Sequence, residues 1–376
     1  MKIVLVIDQF DDANNGTTIS ARRFATALKE HGNEVRVIAT GKPADYKYAV
    51  RQMKFFPIVE HLITSQGMRL AIPNRHVFEK AAAWADVVHF MMPSPLSIMG
   101  LKHVERLNIP HTAAFHCQPE NITFTLHLGN SRRANDFVYS KFRDTFFNRF
   151  THIHCPSNMI ANQLREHGYT AQLHVISNGI SPQYTYGRSP KEDWMKDRFQ
   201  VLIVGRYAGE KRQDVLIKAC TQCRHAREIQ VILAGKGPLE KKYRRLAQSL
   251  PNPAVMEFYE PARLLEILHM ADLYVHTSDA EIEAMSCMEA FACGLVPVIA
   301  DSPRSATPQF ALDERSLFPA GDSAALAERI DWWFEHPSER EEMGKRYAEH
   351  AKQYALSRSI EQTEEMFRQA IAENEP

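Results

Sequence analysis

Short apolar segments recur along the chain between longer segments whose apolar residues are spaced three or four apart. The apolar segments are rich in β-branched residues and lack polar alternation, which is typical of parallel strands covered by helices on both faces. In the first half they are KIVLVID (2–8), EVRVIAT (34–40), DVVHFMM (86–92), HTAAFH (111–116), THIHCPS (151–157) and QLHVISNG (172–179). Segments between them, such as SARRFATALKEHG, have a period near 3.6, so we predict an open α/β domain.

A second series of apolar segments follows and predicts a second α/β domain. Its members are FQVLIVGR (199–206), IQVILAG (229–235), AVMEFYE (254–260), DLYVHTSD (272–279) and LVPVIAD (295–301). The stretch between the two series, near 178–197, is rich in Gly, Pro, Ser and Tyr, which predicts a linker. Two doubly wound domains joined in this way would create a cleft. The period of the amphipathic C-terminal segment SIEQTEEMFRQAIAE does not say to which domain it belongs.

Composition excludes several classes of protein. The 376 residues contain 45 Lys plus Arg and 45 Asp plus Glu, so no global field favours nucleic acid as a partner. The apolar run of MKIVLVIDQF is short and is interrupted by Asp8, which predicts a buried strand rather than a secretion signal. Six scattered cysteines and no run of roughly 20 apolar residues predict a reduced, cytoplasmic protein. Cys220 and Cys223 form an isolated C-x-x-C, for which core or surface thiols are the preferred interpretation.

Open parallel sheets bind ligands beyond the carboxyl ends of their strands, so residues at those positions are candidates for a site. After the first strand, Gly16 permits a tight turn, and a hydroxyl in the following TTIS can cap a helix that presents N–H groups to an anion. This turn is not a G-x-G-x-x-G, so it gives little support to a dinucleotide cofactor. His116 lies where the HTAAFH segment stops, with Glu120 nearby. Both a structural and a functional role for His116 stay open.

Cations and glycines follow the strands of the second domain. Arg206, Lys211 and Arg212 come after VLIVGR, and two cations there suit a diphosphate when Gly205 allows close approach of the backbone. After IQVILAG, Gly235 and Gly237 free the backbone near a helix start. Together these features predict phosphate chemistry without a Walker lysine loop.

The stretch EIEAMSCMEAFACGLVPVIAD (281–301) combines three carboxylates with small residues. On a helix Glu289 would lie two turns beyond Glu281, and small residues would leave room for a ligand. A solvated helix start is the alternative. If the stretch faces the diphosphate, Glu289 could accept ribose hydroxyls and Glu281 sugar hydroxyls. The helix start would then add partial positive charge through the backbone of Glu283, Ala284, Met285 and Ser286.

In this order, at these strand ends, the motifs resemble those of glycosyltransferase family 4. Its members are retaining enzymes of the GT-B architecture, in which two Rossmann-like domains face a central cleft. The resemblance covers nearly the whole chain. It is carried by Glu281 and Glu289 at E-x7-E spacing, then AFACGLVPVI, and by GRYAGEK (205–211), AGKGP (234–238) and ISNGI (176–180).

Within the family the chain is most similar to bacterial cholesterol α-glucosyltransferases and related lipid glycosyltransferases. The matching segments are NGTTISARRF, FHCQPENIT, HIHCPS, EIEAMSCMEA, PVIADSPRSATPQFALDERSLF and IDWWFEHPSERE. The resemblance implies that residues 1–179 bind the acceptor, that residues 180–356 bind the nucleotide sugar and that a helix at about 357–376 crosses back to the first domain. Many members have Phe-Gly where this chain has Glu283-Ala284, so the donor sugar does not carry over.

The resemblance also implies roles for individual residues. Arg206 and Lys211 would contact the donor diphosphate, Glu289 the ribose, Glu281 the sugar and phosphate region, and His116 the reacting centre. A glucose or galactose residue would move from a UDP-sugar to a sterol, diacylglycerol or ceramide hydroxyl with retention. The implied route is a front-side one without a covalent nucleophile, in contrast to retaining hydrolases. No metal or other cofactor is then expected.

A lipid acceptor requires contact with a bilayer, and residues 132–150 are the first candidate. The segment interleaves aromatic and basic residues, as expected of an interfacial helix near anionic lipid, and residues 54–70 are a second candidate. Packing of the aromatics inside the first domain is the alternative. We therefore expect peripheral association with the inner face of the membrane. A family member with a soluble acceptor and a catalytically silent sugar-nucleotide-binding protein stay open. The aromatics are Phe137, Tyr139, Phe142, Phe146, Phe147 and Phe150.

Overall fold

The computed structural model describes residues 1–11, 16–56, 60, 63–64, 67–126 and 128–374. The chain divides into two compact units. Unit 1 comprises Met1–Asn178 and Leu356–Pro376, and unit 2 comprises Gly179–Ala355.

In the described part of unit 1, seven strands form one parallel sheet in the order β3-β2-β1-β4-β5-β6-β7. The strands are β1 (Lys2–Val6), β2 (Glu34–Thr40), β3 (Lys47–Val50), β4 (Val87–Phe90), β5 (His111–Ala114), β6 (His152–Cys155) and β7 (Gln172–Val175). The α-helices of this part are α1 (Gly16–Glu30), α2 (Arg75–Ala82), α3 (Pro95–Arg106), α4 (Pro119–Thr125), α5 (Arg132–Thr145), α6 (Asn158–Glu166) and the C-terminal helix Leu356–Asn374.

Unit 2 has a six-stranded parallel sheet in the order β10-β9-β8-β11-β12-β13. Its strands are β8 (Phe199–Val204), β9 (Ile229–Ala234), β10 (Val255–Glu257), β11 (Leu273–His276), β12 (Pro297–Asp301) and β13 (Leu317–Pro319). Its α-helices are α7 (Gln213–Gln222), α8 (Glu240–Leu246), α9 (Pro261–Met270), α10 (Met285–Ala292), α11 (Ser323–Glu335) and α12 (Pro337–Ala351). The C-terminal helix of unit 1 is α13 in this numbering.

The prediction of two parallel α/β domains is confirmed. Strand β9 is buried along its whole length and β1 is buried except at Lys2, because helices cover both faces of the sheets. The predicted strands are too long at their carboxyl ends. The segment 254–260, for example, holds only the three-residue strand β10. The edge strands β3 and β13 were not predicted, because they are short and pair on one side only.

The C-terminal helix α13 packs against the unit-1 sheet. Its residues Ile360, Met366 and Phe367 are buried with β1 and α1 in one apolar cluster. The amphipathic period predicted this helix, whereas its partner domain is decided by the tertiary fold. Among the described residues, no helix combines the length and apolarity required to cross a bilayer.

Candidate functional site

The strand ends of unit 2 bring a lysine and a glutamate together. Lys211 ends a 3-10 turn, Gly209–Lys211, that follows β8, and Glu281 lies beyond the end of β11. The Lys211 ammonium group donates a hydrogen bond to Oε1 of Glu281. Glu281 is 8% exposed, so this ion pair is largely withdrawn from water. Two residues 70 positions apart in the chain therefore form the centre of the candidate site.

His276, the last residue of β11, is a second partner of Glu281. Its Nε2 lies 3.2 Å from the same Oε1 atom that Lys211 contacts. Burial raises the pKa of the Glu281 carboxyl, but Lys211 and His276 outweigh this effect, and the net result is a lowered pKa. Glu281 is therefore an anion with two basic partners. His276 was not among the predicted site residues, although a histidine at the end of an apolar strand could have indicated it.

A chain of hydrogen bonds connects His276 to the start of α10. His276 Nδ1 lies 3.2 Å from the Tyr274 hydroxyl, which donates to the Ser286 hydroxyl at 3.1 Å. Ser286 donates in turn to the carbonyl oxygen of Val204 at 3.2 Å. The chain thus links the ends of β8 and β11 with the first turn of α10.

The other cations at this edge also have carboxylate partners. Arg206 donates to Glu210 at 2.8 Å. Arg212 donates to Asp279 and Asp214 at 3.1 Å each. The predicted cations do lie at the carboxyl edge of the sheet. To hold a ligand phosphate, Arg206 and Lys211 would have to give up their carboxylate partners.

The glycines at this edge differ in what they accommodate. A Cβ atom at Gly235 would lie 2.1 Å from the carbonyl oxygen of Gly205, and one at Gly237 would lie 2.6 Å from that of Tyr207. These two glycines are therefore required by close packing of two loops. A Cβ at Gly205 would make only ordinary contacts, with Lys211 Cδ at 3.9 Å as the nearest atom. The packing of the described chain does not explain a glycine at position 205.

The expectation that Glu281 and Glu289 share one helix is wrong. Helix α10 begins at Met285, and Glu281 forms an isolated parallel bridge with Ser305 instead. Between them Ala284 has a φ of +69°, in the left-handed region that favours glycine. The backbone thus takes a glycine-like conformation at the position where the sequence departs from the usual Phe-Gly, at a cost of about 1 kcal/mol.

The remaining two carboxylates of this stretch are buried. Glu283 is 1% exposed and Glu289 is 6% exposed. Burial raises the pKa of Tyr274 and Cys293, and the nearby Glu289 on α10 adds a smaller contribution. A solvated helix start is therefore the wrong interpretation of these two residues. Their proposed contacts with a donor stay predictions.

His116 in unit 1 lies in a buried group of histidines. It is 6% exposed, and its ring meets that of His154 edge-on at 5.1 Å, while the ring of His154 stacks on that of His89 at 6.4 Å. Burial and the neighbouring histidines lower the pKa of His116 well below its ordinary value. No described residue hydrogen-bonds to His116 Nε2. His116 is therefore neutral at pH 7, with a ring nitrogen available at the strand end.

The N-terminal turn of unit 1 differs from the prediction. Gly16 is the first residue of α1, and the hydroxyls expected to cap the helix lie within it. Ser20 donates to the side chain of Asn178 at 2.9 Å, and Thr18 donates to the carbonyl oxygen of Gln9 at 3.4 Å. These contacts join α1 to the segments that follow β1 and β7, so the capping prediction is wrong for Thr18 and Ser20. Residues 12–15 of this turn lie outside the described chain.

The interpretation of residues 132–150 as an interfacial segment is wrong for most of its aromatics. The segment forms α5 and a 3-10 turn, and four of the six aromatics are buried. Phe90 of β4 packs against two of them at ring distances of 6.0 and 5.7 Å. Phe137 is 61% exposed. The buried four are Tyr139, Phe146, Phe147 and Phe150. Of the second candidate segment, residues 57–59, 61–62 and 65–66 lie outside the described chain.

Two family models match consecutive parts of the chain. "Glycosyltransferase Family 4" matches residues 14–184, and "Glycosyl transferases group 1" matches residues 188–350. Together they span most of both units. Within the described residues no group of three or more His, Cys, Asp or Glu side chains is arranged to hold a metal ion.

Curated relatives match over most of the chain. The alpha-monoglucosyldiacylglycerol synthase of Streptococcus pneumoniae is 21% identical over 320 residues, which are 80% of this chain and 71% of the relative. A GDP-mannose-dependent alpha-mannosyltransferase of Mycobacterium tuberculosis is 24% identical over 324 residues, 80% of this chain and 79% of the relative.

Solved structures of low identity support the fold. Sucrose-phosphate synthase of Thermosynechococcus elongatus matches with a TM-score of 0.80 and 17% identity, over 99% of both chains. The catalytic domain of the cholesterol-alpha-glucosyltransferase of Helicobacter pylori is 50% identical over 42% of this chain and 99% of that one, with a TM-score of 0.41. The chain has two parallel Rossmann-like sheets, as GT-B glycosyltransferases do, and it belongs to glycosyltransferase family 4.

Proposed function

We propose that the protein transfers a hexose, glucose or galactose, from a UDP-sugar to the hydroxyl of a membrane lipid, with retention at the anomeric carbon. The observation that carries this proposal is the Lys211–Glu281 pair at the carboxyl ends of the unit-2 strands, with Arg206 in the same loop after β8 as Lys211. Ligands of open parallel sheets bind at this edge. A diphosphate suits two cations that are partly withdrawn from water, because charge-assisted hydrogen bonds are strong there.

The proposed step needs stabilisation of a departing diphosphate. The bond between the anomeric carbon and the diphosphate oxygen breaks, and the acceptor oxygen bonds to the same face of that carbon. The acceptor proton passes to an oxygen of the departing diphosphate. Lys211 and Arg206 stabilise the charge that grows on this group, and such stabilisation contributes strongly to catalysis when the cations are held in place beforehand. No metal or other cofactor is part of the proposal.

A lipid acceptor is supported by one relative and by the surface of unit 1. The Streptococcus relative is named as a synthase of a glucosyldiacylglycerol. In unit 1, the exposed apolar side chains of Leu126, Leu128 and Phe137 lie on neighbouring segments that Asn135 joins through Thr123 and Gly129. The exposed Arg132, Arg133 and Lys141 lie on the same helix as Phe137. Apolar side chains among basic ones suit the surface of an anionic bilayer.

The activity test uses the purified full chain with UDP-glucose and UDP-galactose separately. Cholesterol, diacylglycerol and ceramide are offered in mixed liposomes, and glycolipid is followed by mass. Formation of one α-glycolipid supports the proposal, with the anomeric configuration read from the NMR coupling constant. Hydrolysis of the donor without glycolipid would move the acceptor to the soluble class. UDP binding without hydrolysis or transfer would indicate a silent binding protein.

The membrane surface has its own test. Wild-type protein is expected to sediment with anionic liposomes, and Phe137→Ser combined with Leu128→Ser is expected to reduce the bound fraction several-fold. Phe258→Ser is the matched control, since Phe258 is a 53% exposed phenylalanine of unit 2. Equal sedimentation of all three proteins would contradict the proposed surface.

A further inference from the structure

His276 is a buried residue that has no role in the proposed reaction step. It is 2% exposed and ends β11. Its Nε2 faces Glu281 Oε1 at 3.2 Å, and its Nδ1 faces the Tyr274 hydroxyl at 3.2 Å. Nδ1 therefore has a hydrogen-bond partner, whereas Nε2 lies at ion-pair distance from a carboxylate and makes no regular hydrogen bond to a described residue. Both neighbours restrict where the ring protons can be.

The hydrogen-bond chain beyond Tyr274 has a fixed direction. The Val204 carbonyl oxygen can only accept, so the Ser286 hydroxyl donates to it. Ser286 then has no second proton, so the Tyr274 hydroxyl donates to the Ser286 oxygen. Tyr274 in turn has no proton left for His276. It follows that His276 Nδ1 carries a proton and donates it to Tyr274.

The second nitrogen faces an anion. The lowered pKa of Glu281 keeps its carboxyl ionised, and a bare ring nitrogen at 3.2 Å would repel it. A proton on Nε2 turns this repulsion into an ion pair. The geometry therefore assigns protons to both nitrogens, which makes the ring an imidazolium.

The groups around this ring come from three places in the fold. Lys211 belongs to the loop after β8, Tyr274 to β11 itself, and Glu281 to the segment beyond β11. From α10, Cys287 and Glu289 lie within electrostatic range of Tyr274, and Cys287 also of Glu281. Two cations thus share the Glu281 carboxylate.

We propose that His276 is a positioning residue of the donor site, whose imidazolium neutralises Glu281 and so lets Lys211 move its contact from Glu281 to the donor diphosphate. This inference rests on the proposed function. Without His276, departure of Lys211 would leave a buried carboxylate unpaired, which is strongly unfavourable. With it, Glu281 keeps one partner and its orientation while Lys211 is engaged. His276 contacts neither the diphosphate nor the sugar in this arrangement.

The protonation state has a direct test. Full-length protein labelled with ¹⁵N-histidine is examined by NMR at pH 7.5, and the His276 signals are assigned as those missing from His276→Gln. The expected signature is that of a ring protonated on both nitrogens. Signals of a neutral tautomer would overturn the proposal.

The positioning role is tested by calorimetric binding of UDP and of inorganic pyrophosphate. We expect His276→Leu to weaken both ligands at least tenfold and His276→Gln, which keeps a neutral donor, to weaken them less. The control is His225→Gln, since His225 pairs with Glu335 on the surface of unit 2 and should bind as wild type does. Unfolding midpoints verify that the variants fold.

The outcomes separate this inference from the proposed function. Wild-type affinity in both folded His276 variants would overturn the positioning role while the diphosphate site stands. Absence of UDP and pyrophosphate binding by wild type would overturn the site and this inference together. Weaker UDP binding in the variants with no transfer to any lipid would support the positioning role and contradict only the proposed acceptor.

Discussion

The two units have parallel sheets of the same kind, yet the carboxyl ends of their strands carry different side chains. The unit-2 edge has ion pairs of Lys211 with Glu281, Arg206 with Glu210 and Arg212 with Asp279. The described unit-1 edge has His116 beside two further buried histidines, and burial lowers the pKa of His89 to about 3 and that of His154 to about 4. The fold sets where a ligand can bind, and these side chains decide the charge it meets.

The same sheet architecture presents two kinds of chemistry at the carboxyl ends of its strands. Cations held by carboxylates can exchange those carboxylates for phosphates, so the unit-2 edge suits an anionic ligand. Neutral histidines offer hydrogen bonds without charge, so the unit-1 edge suits an uncharged hydroxyl.

Removing Lys211 should have the largest effect. We expect Lys211→Ala to lower turnover by roughly 10³-fold, because the departing diphosphate loses a prearranged cation. Initial rates with UDP-sugar and acceptor lipid measure this. Lys345→Ala is the control, since Lys345 pairs with Glu341 on an exposed face. Unchanged turnover in Lys211→Ala would remove it from the site.

Acid should destabilise unit 1 more than unit 2. Unfolded histidines bind protons below about pH 6.5, whereas His89, His116 and His154 stay neutral in the folded state, so stability is lost as the pH falls through that value. Burial raises the pKa of Asp8 to about 6, which offsets part of the loss. We expect a net loss of roughly 4 kcal/mol between pH 7 and pH 5.

The two units can be followed separately in the intact chain through buried cysteines. Cys155 reports on unit 1 and Cys287 on unit 2. A urea titration with a short maleimide pulse, analysed by peptide mass, gives an unfolding midpoint for each thiol. An equal shift of both midpoints on acidification would contradict the prediction.

Neutralising Glu281 should lower turnover by roughly 10²-fold. Glu281→Gln keeps the size of the side chain but leaves Lys211 and His276 without their shared anion, so both lose their positions. Steady-state kinetics measure the loss. Glu335→Gln, the same change in a surface pair with His225, should leave the rate unchanged. A Glu281→Gln enzyme of normal rate would disprove the assignment.

Replacing His116 should lower turnover without changing UDP binding, which would distinguish the role of unit 1 from that of unit 2. We expect His116→Phe to lower kcat roughly tenfold and to leave UDP affinity unaltered, since His116 belongs to unit 1. Phenylalanine keeps the aromatic edge against His154. Steady-state kinetics measures kcat, and calorimetry measures the affinity for UDP. A matching loss of UDP affinity would place His116 in donor binding.

Ala284→Gly should give the smallest effect, a gain of about 0.5 kcal/mol in the stability of unit 2. Glycine relieves the left-handed conformation at φ +69°, and its larger backbone entropy in the unfolded chain offsets part of the gain. The Cys220 midpoint in the urea and maleimide experiment measures it. Ala290→Gly, within α10, should instead destabilise by about 1 kcal/mol. A loss of stability in Ala284→Gly would contradict the assigned strain.

Several site residues could be located from sequence because they follow apolar strands directly. Arg206 and Lys211 lie within a few residues of β8, so the strand itself fixes their place at the sheet edge. The aromatic residues of 132–150 could not be placed in this way. An amphipathic helix that faces a core and one that faces a bilayer have the same period, and only packing against Phe90 and its neighbours distinguishes them.

The two α/β domains and the family could be predicted from the sequence alone, because burial on both faces and the glycine and cation motifs act over a few consecutive residues. The tertiary structure decided which side chains meet. Glu281 contacts Lys211 from 70 positions away. Ala284 takes a left-handed backbone conformation, although alanine favours the right-handed one. His276 gains a role only because β11 places it between Glu281 and Tyr274. Hydrogen bonds and ion pairs depend on distances that the folded sheet sets, and no local pattern in the chain encodes them.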